Sequence, residues 1–235
     1  MLLLGTANAT TWFPSQKIDP ITGEEVTVQE IKSYGSYIYK WPSKFDMVFW
    51  PLTDANWIWF CPKSGYASFG DDFDKLSDAE KKRLSAWLKE NYDPNKKPEA
   101  HMDKLAWMEK VYRQRQKDDR FWSRFYRLMA YMHRENQQKS LEYVNKALPL
   151  LQTALDTNLK DIERIEALFL LGEYNRRIGQ EEKARKYFAQ AKATTYKDED
   201  GKEKVGDPYF LGLVQDRENL MKKEPSSKAG PGDGK

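Results

Sequence analysis

One stretch has the residue types and spacing of a metal knuckle: Trp57-Ile-Trp-Phe-Cys61-Pro-Lys-Ser64-Gly-Tyr-Ala-Ser-Phe69. A Cys-Pro-x-Cys-Gly-Tyr run presents two thiolates on one tight turn, and structural zinc uses about four thiolate or imidazole ligands. Here Ser64 stands at the second thiolate position, Cys61 is the only cysteine, and the two histidines are the distant His101 and His133. The residue supply therefore predicts no metal and no cofactor. Cys61, set among Trp57, Trp59 and Phe60, reads as a small buried hydrophobe, since free cysteine is among the most buried residue types. A reactive thiol needs basic neighbours that depress its pKa, and Lys63 is the one nearby in sequence.

Other patterns that suggest chemistry have plainer readings. Asp71-Asp-Phe-Asp74 lacks the glycine and the terminal bidentate glutamate of a calcium loop. It reads as turn chemistry and negative charge ahead of a helix N-terminus. His101 and His133 have no paired nucleophile pattern, and no glycine-rich phosphate loop is present, so no catalytic residue is assigned. The interleaved Arg113 to Arg127 run suggests single-stranded nucleic acid. Helical spacing instead puts its aromatics on a core face and its arginines on a solvated face, which argues against nucleic acid as a partner.

The elements that must position these residues fall into two regimes. Residues 10–74 carry strand signals in Val26-Thr-Val-Gln-Glu-Ile31, Ser36-Tyr-Ile-Tyr-Lys-Trp41 and Asn56-Trp-Ile-Trp-Phe-Cys61, which are rich in β-branched and aromatic types. Asp19-Pro-Ile-Thr-Gly23 is a turn cluster, and prolines at 42, 51 and 62 keep the strands short. From residue 75 the period becomes helical. Ser77-Asp-Ala-Glu80 is a capping box. Helices are expected near residues 77–91, 99–117, 121–135, 138–156, 159–178, 181–194 and 208–222, with a charged loop over 197–207. The tail 224–235, rich in Gly, Pro, Ser and Lys, cannot build a core.

Leu168-Phe-Leu-Leu-Gly172-Glu-Tyr-Asn-Arg-Arg-Ile-Gly179-Gln-Glu-Glu-Lys-Ala184-Arg-Lys-Tyr-Phe188-Ala-Gln-Ala191 follows the tetratricopeptide pattern, with the tyrosine one position early at 174. A small residue allows close helix approach, Gly turns the hairpin, and Ala, Phe and Ala fill the groove. Residues 121–148 fit the same spacing more loosely. Counted from Ile165, the positions expected to line a partner-binding groove are Glu166, Phe169, Glu173, Arg176 and Arg177. An exposed Phe169 flanked by both charge signs would grip a partner segment.

Both ends of the chain together resemble DUF2225, a bacterial family of uncharacterised proteins with a zinc-ribbon-type N-terminal part and tetratricopeptide-like helices. The matching stretches are Trp59-Phe-Cys61-Pro-Lys-Ser64-Gly-Tyr-Ala-Ser-Phe69, Asp72-Phe-Asp-Lys-Leu76 and Leu171-Gly-Glu-Tyr-Asn-Arg-Arg-Ile-Gly179. The resemblance covers roughly residues 10–222 and implies the fold. It carries over no metal ligand: the second Cys-x-x-Cys retains only Cys61, and the first would fall around Trp12-Phe-Pro-Ser-Gln16, where no cysteine stands. Aromatic packing by Trp57, Trp59, Phe60, Tyr66 and Phe69 is expected to replace the metal.

At 235 residues the chain suits one large or two small domains. Its net charge of +3, with signs interspersed, argues against nucleic acid and acidic membrane surfaces. No run approaches the ~20 apolar residues of a membrane span. Met1-Leu-Leu-Leu-Gly-Thr-Ala7-Asn8-Ala9 resembles the end of a secretory signal, with cleavage after Ala9. The expectation is an α+β, mainly α protein. It comprises a signal remnant over 1–9, a metal-free ribbon-like antiparallel β module over 10–74, a tetratricopeptide-like helical domain over 75–223 and a disordered tail. Its role is read as non-enzymatic protein–protein interaction or scaffolding, periplasmic or otherwise exported, for example in the coat of a periplasmic filament or flagellum. The rival class is a cytoplasmic regulatory or nucleic-acid-associated descendant of a zinc-ribbon protein.

Overall fold

The computed structural model describes residues 11–33, 42–157 and 159–223. The expected strand at 36–41, the signal remnant and the tail lie outside the described residues. The protein is α+β and mainly α, with small two-stranded antiparallel sheets. The chain forms two compact units, one of residues 1–44 and 48–121, the other of residues 45–47 and 122–235.

In the first unit, β1 (Thr11–Ile18) pairs with β2 (Glu25–Ser33). β1 lies in a segment with no strand expectation, because Pro14 interrupts its pattern. A two-stranded ribbon leaves each strand one free edge, where proline is tolerated. β3 (Ile58–Phe60) pairs with β4 (Ala67–Phe69), so the knuckle residues 61–66 form a hairpin tip. α1 (Asp78–Asn91) starts at the expected capping box: Ser77 Oγ accepts from the Glu80 amide at 3.3 Å, and Glu80 Oε2 accepts from the Ser77 amide at 3.1 Å. α2 (His101–Tyr112) buries Leu105, Met108, Val111 and Tyr112. Both helices belong to this first unit. Tyr112 binds the sheet directly, its hydroxyl accepting from the Phe69 amide at 3.0 Å.

Just past α2, Arg115 reverses an expectation. It lies buried rather than on a solvated face. Its guanidinium donates to Asp72 at 2.8 and 3.3 Å and to the Lys75 carbonyl at 2.7 Å. The Asp71–Asp74 turn thus holds a buried cation.

The second unit is helical. It takes the part of α3 (Asp119–Met132) from Trp122 onward, then α4 (Gln137–Asp156), α5 (Asp161–Arg177), α6 (Glu181–Ala193) and α7 (Pro208–Lys223). α3 buries Phe125, Leu128 and Met129 as expected, but also Arg127. α5 and α6 form the expected hairpin. Gly179 turns it at φ 78°, and Gly172 faces the Phe188 ring so closely that any side chain there would strike it. Ala184, Phe188 and Ala191 are buried on α6. The charged 197–207 segment, read as a loop, is a short hairpin of β5 (Thr195–Lys197) and β6 (Glu203–Val205). Its Asp198 carboxylate caps the turn by accepting from the Asp200 and Lys202 amides.

Candidate functional site

Three places were candidates for function: the knuckle, the helical groove and the exposed apolar surface.

At the knuckle, Cys61 is 1% exposed. Its thiol lies close enough to the Asp19 carboxylate to feel that charge. Burial first, and then the Asp19 charge, push the thiol up, far from the thiolate form. The tip is clamped by aromatics: the Trp107 indole donates to the Gly65 carbonyl at 2.6 Å, and the Tyr92 hydroxyl to the Pro62 carbonyl at 2.6 Å. Trp59 packs edge-on to Phe73 at 5.3 Å, and its indole donates to the Gln29 carbonyl of β2 at 2.9 Å. Among the described residues, no group of three or more His, Cys, Asp and Glu side chains is placed to hold a metal. The donor set itself, one thiol held protonated beside a carboxylate and hydroxyls, does not fit a structural zinc.

The groove is corrected by the structure. Phe169 is fully buried, with its ring 6.2 Å from Phe188 and 5.9 Å from Phe210. It cannot grip a partner, because α7 folds back over α5 and covers it. Glu173 is 3% exposed and is bonded by Arg176 at 2.8 and 3.0 Å. Glu166 accepts from Arg127 at 3.0 Å. Arg177 binds Asp46 at 2.7 Å and Ser140 at 2.6 Å.

Arg177 directly, and Glu166 through Arg127, are thus tied to a segment of the chain itself. Phe45, Asp46 and Met47 belong to the helical unit. Asp46 accepts from the Tyr174 hydroxyl at 2.9 Å as well as from Arg177. The Arg217 guanidinium lies 3.4 Å over the Phe45 ring. Met47 takes a left-handed φ of 50° to complete the turn. Burial pushes Asp46 up, while Arg177 pulls it back toward ionisation. For Arg177 burial is the largest single influence and acts downward, but the Asp46, Tyr174 and Glu173 charges and the Asp46 hydrogen bond together outweigh it, and the net shift is upward. The site works as a structural clasp. Sequence reasoning missed it because Asp46 and Tyr174 are 128 residues apart. The one trace was the early tyrosine at 174.

The surface the helical unit does expose lies elsewhere. Val205 is 65% exposed, Tyr209 42% and Leu211 36%. Val205 ends β6, Tyr209 and Leu211 stand in the first turn of α7, and Leu211 lies against Gly206 between them.

Among the described residues no helix is long and apolar enough to cross a membrane. No curated protein and no solved structure matches the chain. The sequence does match a family over residues 17–208, spanning both compact units. The chain belongs to DUF2225, a family described as an uncharacterised protein conserved in bacteria.

Proposed function

We propose that this protein is a non-enzymatic scaffold that binds another protein, as a structural part of an extracytoplasmic assembly such as the coat of a periplasmic filament. In this reading the first unit is a ribbon that has lost its metal, and the second is a tetratricopeptide-like bundle. The observation that carries the proposal is the exposure of Val205, Tyr209 and Leu211, three apolar side chains within seven residues of chain. Apolar side chains clustered on a surface favour burial against a partner, and aromatics are enriched in interface cores. The close Gly172–Phe188 approach supports the tetratricopeptide-like part of the reading. The Ala7-Asn8-Ala9 sequence supports export.

Charging the patch separates binding from folding. Val205→Glu/Leu211→Glu should stay within about 0.5 kcal/mol of the parent stability, because surface changes away from packed contacts are usually small. It should lose the protein that co-purifies with the tagged parent. A folded variant that keeps the same partner in the same yield would reject this surface.

A further inference from the structure

The hairpin tips of the first unit are copies of one another. Asp19-Pro20-Ile21-Thr22-Gly23 joins β1 to β2, and Cys61-Pro62-Lys63-Ser64-Gly65 leads from β3 toward β4. Each is an x-Pro-x-hydroxyl-Gly turn. Their backbones are bonded in the same register: the Asp19 amide donates to the Glu24 carbonyl at 2.8 Å, and the Cys61 amide to the Tyr66 carbonyl at 2.8 Å. The Gly23 amide returns to the Asp19 carbonyl at 2.8 Å, and the Gly65 amide to the Cys61 carbonyl at 2.8 Å. Both glycines take the left-handed conformation, at φ 75° and 80°. The first tip is therefore not in the Trp12–Gln16 stretch where the family resemblance placed it. That stretch is part of β1.

The side chains of the two tips meet. Asp19 is 2% exposed and Cys61 1% exposed. The Asp19 carboxylate accepts from the Ile21 amide at 2.9 Å and from the Thr22 hydroxyl at 2.9 Å. Asp19 and Cys61 line one cavity, and the thiol feels the carboxylate's charge. Ser64 is buried on the same turn as Cys61, and its oxygen accepts from the Tyr66 amide at 3.0 Å. Two matched turns with their first side chains meeting is the arrangement by which paired knuckles, using first and fourth positions, enclose a tetrahedral cation. Here the four positions hold a carboxylate, two hydroxyls and one thiol.

We propose that Asp19, Thr22, Cys61 and Ser64 are the four corners of a tetrahedral metal position rebuilt as a hydrogen-bonded cross-brace, which ties the two hairpin tips together without a cation. Each half is held from within its own turn: Asp19 by Ile21 and Thr22, and Ser64 by Tyr66. The aromatic clamp by Trp107 and Tyr92 adds to this brace rather than replacing it, which sharpens the expectation that aromatics alone substitute for metal.

The test restores the ligands. The full-length Asp19→Cys/Thr22→Cys/Ser64→Cys variant, produced with zinc, should hold one equivalent per chain. Cobalt(II) should give it the absorption of a tetrahedral thiolate site. A chelator should lower its melting temperature and leave that of the parent unchanged, because metal binding and folding are coupled. Asp19→Cys/Ser64→Cys is the milder variant, with three thiolates, and should take the metal more weakly. If neither variant binds zinc, or if the parent itself carries an equivalent, the proposal is wrong. Cobalt bound without thiolate absorption also contradicts it, because the corners would then not converge.

Discussion

Asp72→Ala should lower the stability of the protein by about 3–5 kcal/mol, the range for removing one partner of a buried ion pair. Arg115 is the reason. Its side chain has no solvent exposure, while Asp72 is 14% exposed. The guanidinium would keep the Lys75 carbonyl at 2.7 Å but lose both bonds to the carboxylate. Glu80 stands 3.6 Å from Nε, too far for a strong bond. A charge stranded in that position has no route to water. Lys117 also binds Asp72, at 2.7 Å, with 17% of its own side chain exposed. Lys117→Met leaves Asp72 paired with Arg115 and strands no charge, so it should cost about 1 kcal/mol, the worth of one hydrogen bond. Thermal unfolding distinguishes the two, with a fall of roughly 10 °C for Asp72→Ala at this chain length. Equal effects of the two substitutions would show that Arg115 is not the charge at stake.

Asp46→Ala should have a comparable effect in the other unit, about 3–5 kcal/mol. It removes the carboxylate from Arg177, which is 17% exposed, and leaves the buried Tyr174 hydroxyl without its acceptor. Tyr174→Phe keeps the ion pair and loses one hydrogen bond, so about 1–3 kcal/mol is expected. Combining Asp46→Ala with Arg177→Met should be less damaging than the sum of the single changes, by about 0.5–3 kcal/mol, because the second change removes the stranded charge. Urea unfolding of the four chains supplies the cycle. Strict additivity would mean that Arg177 reaches water once Asp46 is gone.

Local rules made much of the fold legible. The Ser77–Glu80 box places the start of α1, and apolar spacing places the helices within about three residues at each end, except that α2 stops at Tyr112 and not near residue 117. The Gly172–Phe188 and Gly179 positions gave the α5–α6 hairpin. The failures came where distant chain decides burial. Phe169 was expected on an open face because a single hairpin leaves that face bare, and α7 closes it. Arg115 and Arg127 were placed on a solvated face by periodicity, but each has carboxylates or carbonyls waiting from far along the sequence. The β5–β6 hairpin was hidden by a charged sequence whose turn is set by the Asp198 carboxylate rather than by apolar alternation. At the knuckle, the Cys61-Pro-Lys-Ser64-Gly65 turn is legible from its residue types. Its partner turn at Asp19–Gly23 was seen only as a turn, because no cysteine remains there to mark it.

The claim that this protein binds a partner outside the cytoplasm is met most directly by crosslinking in the producing cells. A photoreactive phenylalanine analogue in place of Tyr209 puts the reactive group on the exposed patch at small structural cost. The account predicts an adduct with one defined protein, recovered in the envelope fraction and lost when Val205→Glu is added. Protein recovered wholly from the cytoplasmic fraction, with no adduct at Tyr209, would contradict it.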